Sequence, residues 1–152
     1  MGDPLSITVG HQAIERVSLE VVRRERPDDD DYWDGNWLVV DVQISAGGFS
    51  GHAVASLRAD ELRDFWEALE RMHNAVTGTA RLESMEGWLT LVFSCHKTGR
   101  ITVEGEAADR PGTGNSLNFT LPDMDQTYLP GLIDELRDCE RAYPVVGRAP
   151  QS

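Results

Sequence analysis

Apolar side chains recur at every second position through much of this chain, which is the period of a β-strand with one buried face. Glycine-bearing turns separate these runs, and short links of that kind favour antiparallel hairpins. No alternating strand–helix–strand units are present from which a parallel sheet could be built. The predicted strands cover Val17–Arg23, Trp37–Ile44, Phe49–Leu57, Leu89–Cys95, Ile101–Ala107 and Leu117–Leu121, with shorter ones at Leu5–Val9 and Thr79–Met85.

Two segments change to the helical period of 3.6 residues, and each comes shortly after a strand. Phe49–Met72 resembles Leu117–Arg141 in this strand-then-helix pattern, which suggests a structural duplication. We therefore expect an α+β fold in which a curved antiparallel sheet of about seven or eight strands carries two helices on one face. The expected order is strands, helix, strands, helix. The two apolar stripes are Leu62, Phe65, Trp66, Leu69 and Met72, and Leu129, Leu132, Ile133, Leu136, Cys139 and Tyr143.

The 152 residues suit a single domain over residues 1–152, with an ordered core at about 5–144 and a flexible tail at 145–152. The N-terminus lacks the basic and apolar segments of a secretory signal, and no apolar run reaches the roughly 20 residues of a membrane helix. We therefore expect a cytoplasmic protein without a membrane span.

The charge balance restricts the partners of the chain. It has 14 Lys and Arg residues against 26 Asp and Glu residues, a formal net charge of −12. Nucleic acids and anionic membrane surfaces both require clustered cations, so we expect neither as a partner.

The residue types that carry catalysis or bind metals do not form a recognisable motif. Cys95 and Cys139 are not in a CxxC pair, and we expect two buried free thiols, no metal and no cofactor. Cys95 and His96 are consecutive strand residues, so their side chains should point to opposite faces and cannot form a dyad. Glu104 and Glu106 share a strand face that we expect to be solvated. No catalytic residues are predicted, and we do not expect an enzyme.

The acidic aromatic segment, Arg26–Trp37, is the most unusual part of the sequence. Four consecutive aspartates repel one another and resist regular structure. One interpretation is a solvated loop whose tryptophans enter the core, and another is an acidic patch with aromatic anchors for a protein partner. Calcium is a third interpretation, but the spacing lacks the alternating ligands of an EF-hand. The candidate partner-binding residues are Asp28, Asp29, Asp30, Asp31, Tyr32, Trp33 and Asp34.

A second candidate surface lies on the strand faces opposite the aliphatic ones. These faces carry tryptophan and valine where a solvated sheet normally carries polar residues, so either another part of the chain or a partner should cover them. The residues of this alternative surface are Trp37, Asp41, His52 and Trp88.

Several short motifs resemble those of small bacterial immunity proteins of the WapI type, over roughly Val17 to Leu136. The motifs are Trp33–Leu38, Gly48–Gly51, the helix with Leu62, Phe65 and Leu69, Glu86–Leu89 and Gly99–Gly105. Such proteins are encoded beside large cell-surface toxins that are delivered on contact, and they neutralise the toxin's C-terminal domain inside the cell. The resemblance implies no catalytic groups, and it implies an acidic chain where the toxin is a basic nuclease. It assigns no binding residues, and the four aspartates are outside its pattern.

Three hypotheses about function follow. The first is a non-enzymatic immunity protein that binds and neutralises a cognate, basic toxin domain. The second is a small hydrolase or ligand-binding domain with a pocket on the face that carries Trp37 and Trp88. The third is a homo-oligomeric module, such as a homodimer, that associates through that same face.

Overall fold

Strands and helices account for most of the chain in the computed structural model, which describes residues 5–12 and 15–150. The α+β class and the order of strands, helix, strands, helix are confirmed. The elements are β1 (Leu5–Gln12), β2 (Glu15–Arg24), α1 (Tyr32–Gly35), β3 (Trp37–Ala46), β4 (Phe49–Arg58), α2 (Ala59–Ala75), β5 (Gly78–Glu83), β6 (Leu89–Cys95), β7 (Arg100–Ala108), β8 (Ser116–Asp125), a 3₁₀ turn (Gln126–Tyr128) and α3 (Leu129–Ala142).

The eight strands divide into two antiparallel sheets, where the sequence predicted one curved sheet. One sheet has the order β1-β2-β3-β4 and the other β5-β6-β7-β8. Each is a meander in which strands that are neighbours in sequence pair. The division falls at α2, because a helix of 17 residues separates β4 from β5 and no short turn joins them.

The inner faces of both sheets and the apolar stripes of α2 and α3 form one hydrophobic core. Phe65 of α2 contacts Phe93 of β6 edge to face, with ring centroids 5.5 Å apart. Trp66 is only half-buried, and its indole N–H donates to Glu140 of α3 at 2.6 Å. Of the other residues in the two stripes, Tyr143 is half-buried and the rest are buried. The buried ones are Leu62, Phe65, Leu69, Met72, Leu129, Leu132, Ile133, Leu136 and Cys139, and they share the core with Leu91, Val103 and Phe119 of the strands.

The two halves of the chain repeat one connectivity, a four-stranded meander that runs into a helix, as the pattern of the sequence suggested. Each helix packs against the first strand of the other half: α2 lies on β5 and α3 on β1. The two helices also pack against each other. The halves are therefore interlocked. Among the described helices, none has the length and apolar character needed to cross a membrane.

Candidate partner-binding surface

Arg58, the last residue of β4, organises the acidic aromatic segment. The preceding residue, Leu57, points into the core, so strand alternation sends Arg58 to the outer face of the sheet. The Arg58 side chain is nevertheless fully buried, because aromatic rings cover it. Its guanidinium carbon lies 5.0 Å from the ring centroid of Tyr32, 5.3 Å from that of Trp33 and 4.9 Å from that of Trp37. These distances are those of cation–π contacts.

Each of the three guanidinium nitrogens of Arg58 donates a hydrogen bond. The guanidinium donates to the carbonyl oxygens of Tyr32 (2.7 Å) and Trp33 (2.8 Å) and, through Nε, to Oδ1 of Asp60 (3.0 Å). A buried charge is tolerated only when it is paired in this way. The planar fork of arginine suits two carbonyls and one carboxylate, so Arg58 fastens the segment to the end of β4.

A second set of hydrogen bonds ties the same segment to the end of the chain. Asn36 is fully buried, and its amide donates to the carbonyls of Tyr32 (2.8 Å) and Val146 (3.0 Å) and accepts from the Val146 N–H (2.8 Å). Arg24 donates to the Gly35 carbonyl at 2.8 Å. Gly35 must be glycine, because a Cβ there would lie 2.5 Å from the carbonyl oxygen of Asp29. Val146 belongs to the stretch expected to be a flexible tail, and these bonds hold it against the segment.

Tyr32 completes the connection to α2. Its hydroxyl donates to Oδ2 of Asp60 at 3.0 Å, so that Asp60 bridges Arg58 and Tyr32. Burial raises the pKa of the Tyr32 phenol, and the neighbouring Asp60 carboxylate raises it further. Tyr32 therefore stays a neutral donor over the physiological range of pH.

The five aspartates of the segment remain on the surface. Asp28–Asp31 and Asp34 are all exposed. Asp31 also caps the single turn of α1 by accepting from the N–H of Asp34 at 3.1 Å. Carboxylate oxygens of Asp29, Asp31 and Asp34 lie within 4.8 Å of one another, a spacing that could hold a cation but that is common in exposed acidic groups without one. We interpret it as concentrated negative charge.

One aromatic ring of the segment faces solvent. Trp33 is 49% exposed, whereas Tyr32 is half-buried. The solvated position expected for the aspartates is confirmed. The expectation that both tryptophans enter the core is wrong, because Trp37 packs over Arg58 on the outer face of the sheet and Trp33 stays accessible. The interpretation as a patch for a protein partner stays a prediction. The segment is thus an acidic, aromatic surface on a fixed backbone.

The alternative surface does not form one continuous face. Trp37 is in the first sheet and packs over Arg58, whereas Trp88 immediately precedes β6 of the second sheet. Asp41 and His52 are hydrogen-bonded on the outer face of the first sheet. Of the four residues, His52 and Trp88 come together, because both line a cleft between the two sheets.

This cleft, the β4 cleft, has a volume of about 240 Å³. One wall follows β4 and the other comes from β7, the β7–β8 turn and the start of β8. Small residues on both walls leave it open. The indole N–H of Trp88 is buried without a hydrogen-bond acceptor among the described residues. The lining residues are Val42, Ile44, Ser50, Gly51, His52, Ala53, Ala55, Trp88, Ala107, Ala108, Asp109, Asn115, Ser116 and Leu117.

The groups tested for catalysis do not converge. Cys95 is buried while His96 is exposed, as strand alternation predicted. Glu104 and Glu106 are both exposed on β7, outside the β4 cleft. Among the described residues, no serine hydroxyl is hydrogen-bonded to His52. The cysteine–histidine pair and the glutamate pair considered from the sequence are therefore not assembled in one site.

Arg58 and Asn36 were not predicted as site residues. A cation at a strand end normally lies at the surface, and an asparagine after a glycine normally marks a turn. The available signal was the group of Tyr32, Trp33 and Trp37, whose ring faces attract a cation.

The model of the immunity protein WapI-like family matches residues 8–144. No curated protein sequence matches the chain. The family match includes the acidic aromatic segment, Arg58 and the whole β4 cleft. Since it spans nearly the entire chain, this protein belongs to the immunity protein WapI-like family.

Proposed function

We propose that this immunity protein binds a cognate, basic toxin domain in the cytoplasm and neutralises it by occluding its active surface, without catalysis. The acidic aromatic segment is the principal contact in this proposal. The observation that carries it is the anchoring of that segment by Arg58, which holds five exposed aspartates and one exposed tryptophan on a fixed backbone.

Rigidity of the segment favours tight binding. A loop that must become ordered on association loses conformational freedom, and that loss lowers its affinity. Here the hydrogen bonds of Arg58 and Asn36 already hold the backbone in place before a partner arrives. The contacts made with a partner therefore contribute more of their energy to affinity.

The charge of the segment favours a cationic partner. Arg26 lies 3.4 Å from Asp34 in an exposed pair that contributes little, so it offsets little of the charge of the five aspartates. Opposite charge speeds encounter, whereas a desolvated aromatic anchor slows dissociation. Trp33 is the residue of the segment placed to serve as that anchor.

The test is binding kinetics against the C-terminal domain of the large surface protein encoded directly upstream, at low and high salt. Changing Asp28–Asp31 to asparagine should slow association and weaken its salt dependence, because exposed charges are screened beyond about 8–10 Å at ordinary ionic strength. Trp33→Ala should instead speed dissociation.

A matched control changes Glu83, Glu86, Glu104 and Glu106 to glutamine. These four residues are exposed and lie outside the segment, so the control alters the net charge equally. If it slows association as much as the aspartate variant does, the effect is that of total charge and the segment is not the contact. If the wild-type chain does not bind the upstream domain, the proposal fails.

A further inference from the structure

The free edge of β4 differs from the other sheet edges. β1 carries a register irregularity, and side chains from outside its sheet cover its backbone: Glu135 accepts from the N–H of Thr8 at 3.1 Å, and Tyr128 accepts from the N–H of Gly10 at 3.0 Å. α2 packs on β5, and β8 contains a proline. These are the usual devices that prevent a sheet edge from pairing with another chain.

β4 has none of these protections. Between Phe49 and Leu57 it contains no Asp, Glu, Lys, Arg or Pro, and its pairing with β3 is regular over its whole length. In the described part of the chain, no side chain hydrogen-bonds to its backbone over these residues. Two large apolar side chains on it are exposed, Phe49 at 69% and Val54 at 58%. An edge of this kind is a template for an added strand.

The β4 cleft lies along this edge. Five of its lining residues fall between Ser50 and Ala55, so the opening follows the strand. A strand added to β4 would direct alternate side chains into the cleft and the others towards the outer face, which carries the exposed Val54. At about 240 Å³ the cleft is smaller than the roughly 300–1,000 Å³ of typical small-molecule sites, which favours a few side chains of a peptide over a whole ligand.

The charge around the cleft favours a basic occupant. Its described lining contains no Lys or Arg, and it includes the exposed Asp109. Hydrogen bonds from Asn115 lower the pKa of Asp109 and keep it ionised. Asp41 is hydrogen-bonded to His52 beside the opening. A second copy of this chain fits poorly, because each copy carries a net charge of −12.

We infer that β4 and its cleft bind an extended segment of the toxin domain, which adds to the sheet as a strand and has apolar side chains at alternate positions and Lys or Arg beside them. This inference rests on the proposed function and adds a second contact to it. The main-chain hydrogen bonds of β4 supply affinity, and the cleft selects the side chains.

The test fills the cleft without disturbing the fold. Gly51 lies on the inner face of β4, and a Cβ there would meet its nearest atom, Cδ2 of Leu117, at an ordinary 3.9 Å. Gly51→Leu should therefore fold and keep or raise the melting temperature, yet lower the affinity for the upstream toxin domain at least tenfold. Gly131→Leu is the matched control, because Gly131 is exposed on α3 and has nothing within 4 Å of its Cβ position.

Two further measurements separate strand addition from other modes of binding. Val54→Lys, on the exposed outer face of the same strand, should also weaken binding, because it places a cation beside a basic partner. In the wild-type complex, amides between Phe49 and Leu57 should gain protection from hydrogen exchange. Unchanged affinity of the Gly51→Leu variant, or no gain of protection, would overturn the inference.

The outcomes also distinguish this inference from the proposed function. Wild-type binding that the Gly51→Leu substitution does not affect overturns the β4 contact and leaves toxin binding intact. No binding by the wild-type chain overturns both. A wild-type homodimer that Gly51→Leu dissociates, with unchanged toxin affinity, assigns the edge to a second copy and also overturns the inference.

Discussion

Replacing Arg58 by methionine tests whether this side chain holds the acidic aromatic segment in place. Arg58 is fully buried, so the substitution removes a charge from a site that water does not reach. It leaves the Trp33 carbonyl without its donor, and it leaves the buried Asp60 with the Tyr32 hydroxyl but without its cation. Removing one member of a buried ion pair costs about 3–5 kcal/mol, and we expect a loss of unfolding free energy in that range.

That loss is large for a domain of this size, whose total stability is about 5–15 kcal/mol. Arg58→Lys is the informative companion, because it keeps the positive charge but cannot form the planar fork. It should lose hydrogen bonds worth about 1 kcal/mol each and therefore have an intermediate stability. The order of stability should be wild type, lysine variant, methionine variant.

Urea denaturation followed by tryptophan fluorescence measures these differences, since Trp33 and Trp37 lie against the substituted side chain. A double-mutant cycle with Asp60→Asn isolates the pairwise contribution. A loss below about 1 kcal/mol for Arg58→Met, with the emission of the folded state unchanged, would refute the view that Arg58 anchors the segment.

Three further predictions concern the helices. Burial raises the pKa of Glu61 to about 6, so the folded state holds its proton more tightly than the unfolded chain, whose value is 4.5. The contribution of the Glu61 proton to the free energy of unfolding is complete below pH 4.5 and is lost as the pH rises through 6. Glu61→Gln should abolish this pH dependence when urea denaturation is repeated at a series of pH values. Leu69→Ala should cost about 2–5 kcal/mol in urea denaturation, because Leu69 is fully buried, and a loss below about 0.5 kcal/mol would contradict its place in the core. Trp66→Phe removes the donor to Glu140 and should lower the melting temperature, whereas an unchanged value would show that the bond contributes nothing.

The sequence was sufficient to predict the strands, the helices and the core, because burial there follows the two-residue period of a strand or the 3.6-residue period of a helix. Alternation on β6 buries Leu89, Leu91, Phe93 and Cys95, and the 3.6-residue stripe of α2 contacts Phe93 through Phe65. These signals are local in the chain. The division into two sheets was not predictable in this way, because it depends on whether β5 pairs across α2 with the first meander or begins its own.

The candidate site shows the same limit more sharply. The exposure of Asp28–Asp31 followed from their mutual repulsion, but the turn of α1 next to them did not. Asp31 stabilises that turn by capping it. Arg58, which is 25 residues after Trp33 in the chain, holds the turn through the Trp33 carbonyl. A contact between residues so far apart depends on the folded sheet, and no local period indicates it.

The two proposed contacts are joined by one strand: the β4 cleft follows β4, and the acidic aromatic segment is fastened to its last residue. Arg58, which fastens the acidic aromatic segment, and Gly51, which lines the β4 cleft, are seven residues apart on β4. At about 3.3 Å per residue the two positions are roughly 23 Å apart, a span that one interface of about 800 Å² per partner can cover.

Positions separated by more than about 7–10 Å with no shared partner contribute additively. If one toxin domain contacts both, the Gly51→Leu substitution combined with asparagine at Asp28–Asp31 should weaken binding by the sum of the two separate losses, to within about 0.5 kcal/mol. The measurement is the binding free energy of the three variants against the upstream domain. A combined loss no larger than the greater single loss would show that either change alone already displaces the partner from both contacts, which would refute independent binding at the two ends of β4.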